Sequence, residues 1–184
     1  MSSPDRLWSN IRRTIQTKVG DTLVTSSGNV PVYHDYAYGD PDNMRRLGAE
    51  QPRWIETAFL TQRAGRQGFA LWQIDLFSRI GEEGGNVTDP FGFHLDEMNE
   101  KILDVFQGVD AGGLQKGKFH VQDYSDPFAP TVTSMCIFCQ SAGGQIGEPD
   151  DVRRLNFSQD FRRDTISLRF LLVQDAAGGA AFYL

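Results

Sequence analysis

The residues best suited by type to redox or metal chemistry are Cys136 and Cys139, in "MCIFCQ". In a strand, a spacing of three puts them on opposite faces, which is poor geometry for a disulfide. A zinc centre needs about four ligands. No second cysteine pair or His-x-His cluster accompanies these two, and His34, His94 and His120 are scattered. Both cysteines therefore read as small buried hydrophobes of a protein kept in a reducing compartment. The loop "GDPDNMRRLGAEQP" imitates a calcium loop through Asp40 and Asp42. Its fifth position is Met44, its sixth Arg45 in place of Gly, and its twelfth Gln51 in place of Glu, so the motif fails.

Phosphate and acyl-transfer chemistry find no better footing. The glycine-rich stretches "AGRQG" and "DAGGLQKG" do not sit between a strand and a helix start with the lysine a phosphate loop requires. No GxSxG, HExxH or kinase set is present. The carboxylate pairs Glu82–Glu83 and Asp150–Asp151 fall in polar loops, where solvation explains them. The expectation is a protein without enzymatic activity and without a cofactor or metal.

The elements that would position any site are clearer than the site. Sixteen residues from Pro4 to Val19 read as a helix with Leu7, Trp8, Ile11, Ile15 and Val19 on one face and Gly20 as its stop. Ser3 and Pro4 suit its first turn. A strand-and-loop region follows, in which "VPVYHDYAY" reads as a short strand. The stretch "RWIETAFLTQRAGRQGFALWQIDLF" then reads as a long hairpin turning at "QRAGRQG". Trp54, Ala58 and Leu60 share a face with Glu56, and Ala70, Trp72, Ile74 and Leu76 share another. Neither arm shows a clean polar face, so the hairpin must be covered twice, and a second subunit is one way to do it. A glycine-rich connector leads to an amphipathic helix over residues 90–107, with Asp89 as its expected cap and Phe91, Leu95, Met98, Ile102, Val105 and Phe106 as its stripe. "KFHVQDY" and "TVTSMCIFCQ" read as further strands. "FRRDTISLRFLLVQD" reads as the clearest strand of all, with Ile166, Leu168, Phe170 and Leu172 facing one way. Residues 1–174 read as one domain and 175–184, "AAGGAAFYL" and its preceding Asp, as a flexible tail.

The net charge of -6 and pI near 5.0 make the chain a poor holder of nucleic acid, and tolerant of DNA passing nearby. The first residues lack the apolar run of a secretory signal, and no stretch approaches about 18 apolar residues, the length of a membrane span.

The order of helix, strand region, long hairpin, Gly-rich connector, amphipathic helix and closing strand resembles the tail terminator proteins of long-tailed bacteriophages. Four segments carry the resemblance: "PDRLWSNIRRTIQTKV", the arms "RWIETAFL" and "GFALWQIDLF", "DPFGFHLDEMNEKILDVF" and "RRDTISLRFLLVQ". They span most of residues 4–174. The resemblance implies an α+β (α/β) subunit: a mixed, mostly antiparallel sheet with a long hairpin and two helices packed on one face. It implies a homo-oligomeric, hexameric ring that caps the tail tube, ends tail polymerisation and meets the head-completion or neck protein. Genomic DNA would pass through its lumen without specific binding. Its place would be the virion tail or neck, after assembly in the host cytoplasm. The chain is long for that family, which leaves open a related connector or tube protein, or a monomeric binding module that uses the hairpin. Under the ring reading the expected subunit contacts are Arg63 and Arg66 at the hairpin tip, Arg45 and Arg46 in the preceding loop, and Trp54, Phe59, Trp72 and Phe77 on the arms.

Overall fold

A computed structural model describes residues 4–35, 46–47, 50–63, 68–80, 82–83, 86–87, 92–156 and 161–174. Helix α1 covers Pro4–Val19 and ends where Gly20 takes φ 82°, a left-handed conformation that favours glycine. Strands β1 (Thr22–Thr25) and β2 (Gly28–His34) follow, then the hairpin arms β3 (Arg53–Arg63) and β4 (Gly68–Arg79). A two-residue pair, β5 (Glu82–Glu83) and β6 (Asn86–Val87), interrupts what the sequence suggested was plain connector. Helix α2 covers Phe93–Asp104. Strands β7 (Lys118–Asp123), β8 (Thr131–Cys139), β9 (Asp151–Asn156) and β10 (Phe161–Gln174) complete the order.

Eight strands form one sheet in the order β1-β2-β3-β4-β10-β8-β7, with β9 also pairing β10. Only β2 with β3 is parallel; the other ladders of the sheet are antiparallel. Both helices lie on the same face. Ile11, Ile15 and Val19 of α1 and Leu95, Met98 and Ile102 of α2 share one core with Ile55, Trp72, Ile74, Leu76, Ile166, Leu168, Phe170 and Leu172. This is the expected α+β architecture, built on the expected stripes. Arg12, Arg13 and Lys18, which lie off the stripe, cover its margins by standing over the rings of Phe59, Tyr124 and Phe119. Among the described residues no helix is long and apolar enough to cross a membrane.

Several local expectations are corrected. Helix α2 starts later than residue 90, with Gly92 as its N-cap at φ 83° and no side-chain cap; Asp89 and Pro90 lie outside the described residues. The loop expected around Asp150–Asp151 gives way at Asp151 to β9, a strand that its four polar residues in six concealed. The regular alternation of β3 is interrupted at Leu60. A register shift between Phe59 and Thr61 displaces it, and it is half exposed.

The largest correction concerns the hairpin itself. Its arms lie in the middle of the sheet, with β2 on one side and β10 on the other. Its inner face is covered by the two helices, and the chain itself therefore does most of the covering that a neighbour was expected to do. Trp54, Trp72 and Phe77 are buried core residues and present no surface to a neighbouring subunit. Their ring-contact role is withdrawn for that reason.

Candidate functional site

The face of the sheet turned away from the helices has its own chemistry. Alternation along β3, β4 and β10 brings three cross-strand rows onto it: Trp54–Phe77–Arg163, Glu56–Asp75–Thr165 and Ala58–Gln73–Ser167. The first row is aromatic. Trp54 stacks on Phe77 at 4.5 Å and 7°, takes Phe161 edge-on at 5.1 Å, and packs with Leu47.

The middle row places two carboxyl groups directly opposite each other. Glu56 is 1% exposed and Asp75 is 3% exposed. Trp54 Nε1–H donates to Glu56 Oε1 at 2.9 Å. Asp75 accepts from Gln73 Nε2 on both oxygens at 3.1 Å and from Thr165 Oγ1–H at 2.6 Å. Burial pushes the Glu56 carboxyl above its ordinary value and the Asp75 charge adds to that, while the Trp54 hydrogen bond and Arg163 oppose it. At 1% and 3% exposure both carboxyls are shut off from solvent, and the effect of Glu56 falls on stability and its dependence on pH.

The other titratable groups are held structurally. His34 is half-buried, with Nε2 donating to the Gly20 carbonyl at 3.0 Å and Nδ1 accepting from Thr57 at 2.9 Å, and burial lowers its pKa. Arg154 bridges Asp164 on β10 and Asp96 on α2, while Asn99 donates to Asp164. That clamp fixes α2 to the sheet beside β9. The cysteines do lie on opposite faces. Cys139 is buried with its thiol pushed up to about 12 by desolvation, whereas Cys136 is only half-buried and its Sγ lies 3.5 Å from His120 Nδ1. Cys136 is therefore not the buried hydrophobe expected.

The edges of the sheet differ from one another in a way the sequence did not suggest. The backbone N–H groups of Gln122 and Tyr124 on and just after β7 donate to Thr14 Oγ1 at 3.0 Å and Asn10 Oδ1 at 3.2 Å. Asn10 also donates to Asp123 at 3.1 Å, and both α1 side chains are buried. Helix α1 thus seals the β7 edge. Strands β1 and β9 each pair on one side only among the described residues.

Of the expected contact residues, Arg46 is exposed and Phe59 is half-buried, stacked at 5.6 Å on Trp72 with Arg12 over its outer face. Arg63 ends β3, and Arg45 and Arg66 lie outside the described residues. No protein-family model matches the chain, and no curated protein matches it. Sequence reading passed over Glu56 with Asp75, and Asn10 with Thr14. The available signals were two acidic residues on otherwise apolar arms, and two small polar residues beside the α1 stripe.

Proposed function

We propose that this chain is a structural subunit that assembles with copies of itself into a ring, in the manner of the phage tail terminators that its element order resembles. The observation that carries the reading is the open sheet. Its helices lie on one face, α1 closes one edge, and β1 and β9, each paired on one side only among the described residues, lie on opposite sides of the hairpin. Open edges invite pairing with another chain, and a head-to-tail contact between two different edges closes into a ring when the rotation allows. In this role the subunit caps a tail tube, ends its growth and meets a head-completion protein, while its negative charge lets DNA pass.

Native mass spectrometry of the purified protein, alone and with tail tubes, tests this. A single ring mass, or capture on tube ends, supports it. A strict monomer at high concentration that also ignores tubes contradicts it, and a one-to-one complex lost on deleting residues 62–68 would favour a binding module instead.

A further inference from the structure

One cross-strand row on the helix side of the sheet gathers positive charge that no carboxylate answers. Arg53 on β3, Ser78 on β4 and Arg162 on β10 are register partners, two residues beyond the buried row of Ile55, Leu76 and Asp164. Alternation therefore puts all three on the face that α2 covers.

The start of α2 meets both arginines. Arg53 Nη1 lies 3.4 Å from His94 Nδ1. A Cβ built on Gly92 would lie 3.4 Å from Arg162 Nη1 and 3.1 Å from Arg154 Nη1. Gly92 is the N-cap of α2 and supplies no side-chain acceptor, so the positive end of the helix dipole adds to the guanidinium charges. The nearby carboxylates are committed elsewhere. Asp96 and Asp164 both pair with Arg154, and Glu97 accepts from the Ser26 N–H and hydroxyl. Among the described residues Arg53 reaches only His94 and the Ser27 carbonyl, the latter at 3.1 Å, and Arg162 makes no hydrogen bond or ion pair. Between these two arginines Ser78 is 1% exposed, and its Oγ has no hydrogen-bond partner. A buried hydroxyl without a partner costs free energy that a bound acceptor would recover.

We propose that Arg53, Ser78, Arg162 and the first turn of α2 form a binding site for a phosphate group. The site is independent of ring formation. A phosphate monoester carries about two negative charges and three acceptor oxygens, which suits two guanidinium groups and a helix start better than the single charge of a carboxylate. One oxygen would face each arginine and the third the start of α2, with the Ser78 hydroxyl donating from the floor.

Isothermal titration calorimetry of the full chain in low-salt buffer tests this, with inorganic phosphate and, separately, adenosine monophosphate as probes. Saturable binding of at least one probe is expected. Nucleotide binding no tighter than that of phosphate identifies the free anion as the ligand, and tighter nucleotide binding identifies a phosphate carried on a larger molecule. Arg162→Gln should weaken binding by about tenfold or more. Arg13→Gln, which removes the same charge from α1 beside Tyr124, should leave it unchanged. No saturable binding of either probe overturns the site, as does equal weakening by the two substitutions. If circular dichroism shows that Arg162→Gln fails to fold, the amide shifts of the parent chain under phosphate titration decide. Shifts concentrated at Arg53, Ser78, Arg162 and the start of α2 support the site, and shifts scattered over the surface overturn it.

Discussion

Glu56 is the residue at which the sheet's outer face is most sensitive to its surroundings. Its carboxyl is buried opposite Asp75, and its pKa is raised above that of an unfolded glutamate. A raised carboxyl binds its proton more tightly in the folded chain than in the unfolded one. Stability therefore falls as pH climbs from the ordinary glutamate range, near 4.3, through the folded value, and the contribution is fully present only below that range. Glu56→Gln keeps an acceptor for Trp54 Nε1 and removes the titration. Thermal melts should show the variant more stable than the parent at pH 8, with the gap closing by pH 4; a constant gap would mean that Glu56 does not carry the effect. Gly147 sets a second limit. At φ 81° it lies so near the end of α2 that a Cβ would sit 2.5 Å from the Phe106 carbonyl. Gly147→Ala should cost on the order of 1–3 kcal/mol from backbone strain alone, with the clash added, as read in urea unfolding. Neither residue's importance was legible in the sequence. Glu56 and Asp75 are each ordinary in isolation, and only the hairpin register makes them opposite; Gly147 is one glycine among several in a turn-rich loop.

At the scale of elements, periodicity did most of the work. The stripe of α1 and the alternation of β4 and β10 follow directly from where their apolar residues fall, because one face of each must reach the same core. β9 escaped because its edge position leaves Val152, Arg153 and Arg154 exposed, with no apolar alternation to read. The hairpin was identified, but which elements cover it was left open. A strand with apolar residues on both faces needs two covers, and sequence does not say whether they come from the same chain or another. Trp72 shows how far the chain supplies them: it meets Phe59, Phe106 and Phe170 within its own core. Trp72→Ala should cost about 3–5 kcal/mol in chemical unfolding. The seal on β7 predicts a separate effect. Thr14→Val removes the acceptor of the Gln122 N–H and should cost about 1–3 kcal/mol. It should also speed hydrogen exchange at Gln122 while leaving the β3–β4 amides protected; uniform loss of protection would point to general destabilisation instead.

The whole molecule combines three properties: a covered hairpin, a sealed β7 edge, and two strands, β1 and β9, that pair on one side only among the described residues. The sequence supplied the layer arrangement through its element order, but not which aromatics of the arms are buried. The arm aromatics Trp54, Trp72 and Phe77 belong to the core and do not form a contact surface. The most direct measurement of the central claim is electron microscopy of the purified protein, imaged alone and on isolated tail tubes. The account predicts closed rings of a single size, free in solution or seated on tube ends. Isolated particles of about 20.6 kDa in both samples, with bare tube ends, would contradict it.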